Sequence, residues 1–490
     1  MLSRHDRRSF IRQSAAIGVA IAMPGIRAWA ATKSLGPNDQ ICVGMIGAGG
    51  RAEELLNDIV KISGVKVLAV ADPDSDRAGK MAGKCDAKAY QDLRKIIDDP
   101  NIHAVFVATC NHWHCLAAIW AMQAGKDVYV EKPLSHTQWE GRQVVQAARK
   151  YNRIVQVGTQ QRSDPMQAEL KKFLHEDNTL GTIHYAQANR LGVRPPIGMR
   201  KQALSIPKEV NYELWLGPAA DQPIMRDKLH YDWHWNYNTG NGEMGNWGVH
   251  VLDDVRNVAY QDSTSLPSTI STVAGRVAWN DAGNTPNVHY AIYETDSFPT
   301  LIALSNLARA KDGSGSWDSK AGRPASGPGS GYVVACQGGY LLGQRQSAIA
   351  TDRKGKKIRD FKGGNIVKLH IQNFFDAMRS RRSEDLKAEA LIGHYSTGWC
   401  NLANVGYQTA TTFDEAQLSS IGSHIEVWPK LVEELRSQLK PLDLSVSDLR
   451  VSPKLHHDAK TEKFVGEHAE VANGYLKRSY RSGYEVPEIS

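Results

Sequence analysis

The 490-residue sequence has no apolar run approaching the roughly 20 residues that a membrane-spanning helix needs. The longest such stretch, Ile17 to Met23 and its flanks, is too short. Cysteine is sparse: Cys42, Cys85, Cys110, Cys115, Cys336 and Cys400 are too few and too scattered to staple a chain of this length, so most read as small core residues. Internal repeats are missing, and no strong excess of one charge sign is present. The formal charge is +7, but five arginines (Arg4, Arg7, Arg8, Arg12, Arg27) against one aspartate (Asp6) fall in the first 31 residues, leaving +3 for the rest. So mild a balance does not point to nucleic acid. With 41% hydrophobic and 23% charged residues, what remains is a water-soluble globular chain of two domains plus extensions.

Residues 1–31 have the order of an export address: Arg7 and Arg8 followed by Ser9, Phe10 and Ile11, an apolar core, then Ala28-Trp29-Ala30 as an A-x-A cleavage site. This resembles a twin-arginine signal, and a periplasmic or extracytoplasmic location is expected.

From Gln40 to Gly158 short apolar runs alternate with helical patterns, as in a parallel sheet covered by helices. Strands are expected at Ile41 to Ile46, Lys66 to Ala71, Ala104 to Thr109, Asp127 to Val130 and Arg153 to Val157, with helices over Ala52 to Ile62 and Trp139 to Tyr151. The reading is an α/β domain over 36–160, then an α+β domain with an open, mostly antiparallel sheet over 161–450, then an extended polar tail over 451–490 that wraps the body. Beyond Gly158, helices are expected at Pro165 to His175 and Val249 to Tyr260. Strands are expected at Thr182 to Asn189, near Ile270 to Trp279, at His289 to Glu294 and Thr300 to Ala308, and at Tyr332 to Leu342. Lys311 to Gly331 is Gly, Ser and Pro-rich and reads as a surface loop.

The first strand runs into Gly47-Ala48-Gly49-Gly50-Arg51-Ala52, a G-x-G-x-x-A at a strand-to-helix turn. Glycines there permit the tight turn and let backbone N–H groups approach a pyrophosphate at a helix start. Asp72 ends the second strand, where a carboxylate can bond the adenosine ribose. With Asp74 nearby and no arginine before Arg77, NAD is favoured over NADP. Cys110-Asn-His112-Trp-His114-Cys115 superficially resembles a metal cluster, but four ligands in six residues converge poorly on one ion, so no metal is expected there. None is expected at His230-Tyr-Asp232-Trp-His234, whose spacing would need a helix.

Thr109-Cys-Asn111-His-Trp-His114 and Glu131-Lys132-Pro133 resemble the Gfo/Idh/MocA (glucose-fructose oxidoreductase, inositol dehydrogenase, rhizopine catabolism) family. The likeness continues through Gly158-Thr-Gln160-Gln161-Arg162, Gly245-Asn246-Trp-Gly248-Val-His250-Val-Leu-Asp253 and Gly393-His394-Tyr-Ser396. The resemblance implies a Rossmann domain and a sheet domain with a sugar between them. It assigns Gly47, Ala48, Gly49, Gly50, Arg51 and Asp72 to the dinucleotide, with Thr109, Asn111, His114, Glu131 and Gln160 along the nicotinamide side. Lys132 would reach the reacting hydroxyl, and His250 would accept its proton. Where many members of the family carry Asp, this chain has Asn246, which can hydrogen-bond a hydroxyl but cannot act as a base. The chemistry agrees, since oxidising a secondary alcohol needs a base beside a fixed positive charge.

Residues 211–250 hold Trp215, Trp233, Trp235 and Trp247 among Tyr, Asn, Asp and His, a mix suited to sugar C–H faces and hydroxyls. Trp215 and Tyr212 are expected in the core. Arg162, Trp233, His234, Asn246 and His250 are the expected substrate contacts. The leading activity is hydride transfer between a sugar, glycoside or cyclitol hydroxyl and a tightly held nicotinamide dinucleotide. A hydrolase that recycles bound NAD and a catalytically silent sugar-binding protein stand as alternatives. A homo-oligomer formed through the C-terminal sheet is expected.

Overall fold

A computed structural model describes residues 39–317 and 327–490. The proposed leader therefore lies outside the described residues, as does part of the Gly-rich loop. The first half contains β1 (Ile41–Ile46), α1 (Gly50–Ile59), β2 (Val65–Ala71), α2 (Ser75–Gly83), β3 (Lys88–Tyr90), α3 (Arg94–Ile97), β4 (Ala104–Val107), α4 (Asn111–Gln123), β5 (Asp127–Val130), α5 (Gln138–Lys150) and β6 (Val155–Val157). Its six strands pair in parallel in the order β3-β2-β1-β4-β5-β6. β1 and β4 lie next to each other at the switch in strand order, where ligands of doubly wound sheets sit. The expected strands agree with the observed ones within about two residues at each end. β3 is an addition to them, being three residues long and largely exposed, so it carries no apolar run. α4 is buried over 11 of its 13 residues, which explains its lack of an amphipathic pattern.

The second half contributes α6 (Pro165–Lys171), β7 (Ile183–Arg190), α7 (Tyr212–Leu216), α8 (Val249–Val258), β8 (Thr269–Gly275), β9 (Val288–Glu294), β10 (Thr300–Ser305), β11 (Ser330–Cys336), β12 (Gly339–Gln344), β13 (Ser347–Asp352) and β14 (Lys357–Lys362). There follow α9 (Ile366–Ser380), α10 (Ala390–Thr409), α11 (Glu415–Ser420), α12 (Trp428–Leu439), β15 (Arg450–Val451), β16 (Leu455–Asp458), β17 (Lys463–Val465) and α13 (Ala469–Gly474). The sheet runs β14-β13-β12-β11-β7-β10-β9-β8-β16-β17, with β15 also on β8; only the β7–β10 pair is parallel. Tyr332 to Leu342, read as one strand, is a hairpin folded at Gln337 and Gly338. The fold is thus an α/β Rossmann domain followed by an α+β domain with an open, mostly antiparallel sheet.

Val273, Tyr290, Ile292, Leu301 and Ala303 pack against Trp428, Leu431, Leu435 and Leu439 of α12, while α8 and α10 cover the opposite face. The central strands thus have both faces covered by this chain. The polar tail packs onto the body. β15, β16 and β17 extend the sheet, and Tyr484, Val486 and Ile489 then join the Rossmann core. Glu462 secures the crossing: its carboxylate meets His394 Nε2 at 2.9 Å and pairs with Arg142. Burial alone would raise this carboxyl, but hydrogen bonds from His394 and Arg142 hold it down at about 2. Among the described residues no helix is long and apolar enough to cross a membrane.

Candidate active site

A cavity of about 490 Å³, within the range of roughly 300–1,000 Å³ usual for ligand sites, begins at the end of β1 and runs between the two halves of the compact Ser34–Ser490 unit. Gly47 has φ +96, and a Cβ there would come within 2.5 Å of Ala108 O, so only glycine fits. Gly50 begins α1, and nothing lies within 4 Å of where its Cβ would be. The helix start is therefore open to an anionic group at its positive end. Asp72 accepts Ala48 N at 2.7 Å and Asp74 N at 2.9 Å, which aims its carboxylate beside the turn. Burial raises its pKa from 3.8, against those two bonds. Arg77 lies 3.5 Å from Asp74. These residues fit a dinucleotide: an open glycine turn, a helix start, a carboxylate beyond the second strand, and Arg51 with a buried Nη2 that lacks a partner.

At the other end, Arg51 Nε donates to Glu131 at 2.7 Å and Lys132 Nζ donates to Asn246 O at 2.9 Å and Asn246 Oδ1 at 3.1 Å. Asn246 Nδ2 in turn donates to the fully buried Glu243 at 3.0 Å, which also pairs with Arg190 and Arg194. Asn246 thus relays the charge of Glu243 to Lys132, and a carboxylate at position 246 would face Glu243 instead. Burial lowers Lys132 to about 8, opposed by Glu131. Gly158 leaves room for Glu131, since a Cβ would come within 2.7 Å of its Oε1.

Of the expected site residues, Gly47, Gly49, Gly50, Arg51, Asp72, Thr109, Asn111, His114, Glu131, Lys132, Trp233, His234 and Asn246 line this one cavity. Ala48 spends its N–H on Asp72 instead. His114 lines the wall, but both its ring nitrogens face carbonyls, Pro133 O at 2.7 Å and Thr109 O at 3.2 Å, so it positions the Glu131-Lys132-Pro133 turn. Gln160 is buried off the cavity with its Oε1 unpartnered.

Arg162 is not a substrate contact. Its side chain is 2% exposed; Nε donates to both oxygens of Asp253 at 2.8 and 2.9 Å, and its other nitrogens bond Asp262. Ser396 Oγ donates to the same Asp253 at 2.6 Å. Three motif segments therefore meet in one buried ion network within the second domain. His250 is 5% exposed, edge-on to Trp247, with a buried and unpartnered Nδ1. Burial first, then the charges of Lys132, Arg345, Arg51 and Arg190, push it well below 6.5.

His112 and His114 are bonded to backbone carbonyls: His112 nitrogens lie 3.2 Å from Thr239 O and 3.1 Å from Trp215 O. Among the described residues no group of three His, Cys, Asp or Glu side chains is placed to hold a metal ion. Sequence reasoning missed Trp113, Trp120, Leu214 and Tyr484, all on the cavity wall, where His230 and Tyr231 of the 211–250 stretch also lie. Trp215 is buried against Tyr212 as expected, yet it also reaches the cavity. Tyr231 adopts φ 68, uncommon for a bulky residue, and its carbonyl lies 2.5 Å from His234 Nδ1, which fixes that ring beside Trp233.

Residues 41–159 match the Gfo/Idh/MocA oxidoreductase family's NAD-binding Rossmann fold, and residues 198–296 match the family's C-terminal alpha/beta domain. The chain is similar to inositol 2-dehydrogenase 4 of Saccharopolyspora erythraea, 32% identical over 36% of this chain and 54% of the relative. It is also similar to levoglucosan dehydrogenase of Pseudarthrobacter phenanthrenivorans, 38% identical over 24% of this chain and 30% of the relative. It thus spans about half or less of these curated relatives. Among solved structures, a levoglucosan dehydrogenase complexed with NADH and levoglucosan superposes with a TM-score of 0.54 at 17% identity, covering 75% of this chain and 96% of that one. The WlbA dehydrogenase of Bordetella pertussis gives 0.53 at 14%, covering 73% and 94%.

Proposed function

We propose that this chain, built from both halves of a Gfo/Idh/MocA oxidoreductase, transfers a hydride between a hydroxyl-bearing carbon of a sugar, glycoside or cyclitol and a nicotinamide dinucleotide, with NAD preferred to NADP. One observation carries the proposal: Lys132, held on Asn246 and poised near neutrality, shares a cavity with the Gly47 turn and Asp72. A nicotinamide held there would supply the acceptor for the hydride. Lys132 binds the reacting oxygen; charged, it stabilises an alkoxide, and neutral, it takes the hydroxyl proton. Trp233, His234, Tyr231 and Asn246 present aromatic faces and polar atoms to a sugar ring. The carboxylates of Asp72 and Asp74 disfavour a 2′-phosphate, and Arg77, the nearby cation, is already paired with Asp74.

Export by the twin-arginine route belongs to the same reading, because that route carries folded proteins and a nucleotide acquired in the cytoplasm would travel inside. A dinucleotide retained in this way must be regenerated in place, either by a second carbonyl substrate or by a redox-neutral reaction. Glycoside cleavage through transient oxidation, which is redox-neutral, stands as the alternative. The test is purified protein with NAD and a panel including myo-inositol and levoglucosan, followed by NADH absorbance, beside a nitrophenyl glycoside without acceptor. NADH formation supports net oxidation, and aglycone release without acceptor supports hydrolysis. No change in any of them, with no bound nucleotide, removes the reading.

A further inference from the structure

The adenosine end of the cavity is roofed by a segment that does not belong to the Rossmann fold. Asn211 N donates to Pro73 O at 2.8 Å and Ser75 N to Glu209 O at 3.0 Å, around an antiparallel bridge between Asp74 and Val210. Gln91 Nε2 donates to both Pro73 O and Glu209 O, and Trp113 Nε1 to Leu214 O at 3.1 Å. The roof is therefore fixed both to the turn that carries Asp72 and to α4. Over it runs the end of the chain. Arg481 Nη1 donates to Gly217 O at 3.2 Å and its Nη2 pairs with Glu213, so it grips the roof. Arg478 donates to Glu140 at 2.7 Å and to His112 O at 2.9 Å, anchoring the same stretch to α4 and α5. Between these anchors and the buried Val486, Tyr484 meets Trp113 edge-on at 5.6 Å and lies 6.3 Å from Trp120. All three rings line the cavity that contains Asp72, Leu93 and Arg94.

We infer that residues 478–484 are a third wall of the dinucleotide site. Tyr484, Trp113 and Trp120 supply the apolar surface for the flat base of an adenine nucleotide, and Arg478 and Arg481 strap the roof so that release is slow. This rests on the dinucleotide reading above. A planar base finds aromatic edges and faces at this end and a carboxylate for its ribose at Asp72. Leaving from there requires the contacts to Pro73 and Glu209 to open, and the strap opposes that opening.

The test uses the full-length chain loaded with NADH and chased with excess NAD, the release being followed by NADH fluorescence. Tyr484→Ala and Arg481→Ala are expected to release NADH at least about tenfold faster. Tyr484→Phe keeps the ring, and its release should stay within about twofold of the parent. Val486→Ala is the control for packing, because that side chain sits in the Rossmann core without lining the cavity. It should lower the melting temperature without speeding release. Release rates that follow melting temperature across all four variants, or that remain at the parent value in Tyr484→Ala and Arg481→Ala, overturn the strap while leaving dinucleotide binding intact. A parent chain that binds no NADH overturns both.

Discussion

The two ends of the cavity are built differently. At the adenosine end the polar wall is partnered: Asp72 by two backbone N–H groups, Asp74 by Asp76 N and Arg77 N, Trp113 by Leu214 O, Gln91 by two carbonyls. At the reacting end Arg51 Nη2 is buried without a partner, and behind the cavity wall the unpartnered His250 Nδ1 lies among four cations. A buried unsatisfied polar atom costs about 1–3 kcal/mol. One end is finished as a binding surface, and the other is held ready for reacting atoms.

The largest effect that would break this contrast comes from Lys132→Ala. Removing the amine takes away the one side chain that can bind and deprotonate the reacting oxygen, so kcat should fall by about 10²–10⁴-fold. Because Lys132 is bonded to Asn246 and not to the glycine turn, nucleotide content after gel filtration should persist. Loss of nucleotide with near-normal turnover of what remains would reverse the assignment of the two ends.

A second, smaller effect belongs to the adenosine end. Asp72→Ala removes charged acceptors for a ribose, each such hydrogen bond contributing about 1.5–3 kcal/mol, so the Kd for NADH should rise by about 10–100-fold and the gap to NADPH should narrow. Titration with the two reduced dinucleotides reads both quantities. An unchanged preference would mean that specificity lies elsewhere on the wall.

Chemistry written over a few consecutive residues is legible in the sequence itself. Gly47 to Arg51 at a strand end and Asp72 one strand later follow from local pattern, Glu131-Lys132 after β5 from the family resemblance, and all but Ala48 line the cavity. Arg162 is misjudged in that way because a motif arginine near a sugar site and one that bonds Asp253 across 91 residues look the same in sequence. The roof and strap are invisible there for the same reason: Tyr484 reaches Trp113 only after the tail has crossed the sheet domain. The α12 cover escapes as well, because an amphipathic helix does not say which surface it will bury.

The smallest effect is expected in the position of a pH limb, and it separates two residues that the sequence pattern joins. A neutral histidine as the proton acceptor would place the limb near 6.5. His250 does not fit that value, because burial and then Lys132, Arg345, Arg51 and Arg190 all disfavour its charged form and hold it well below 6.5. Lys132, lowered to about 8, titrates within the working range. As pH rises through that value its ammonium loses a proton and the amine becomes an acceptor, so kcat/KM for alcohol oxidation should climb with a midpoint near 8. His250→Gln keeps a polar side chain beside Trp247. It should lower kcat/KM by no more than about tenfold, through altered packing behind the cavity wall, with the midpoint unmoved. A limb near 6.5 that disappears in His250→Gln would identify the histidine as the titrating base and would mean that a bound ligand raises it far above its position in the free protein.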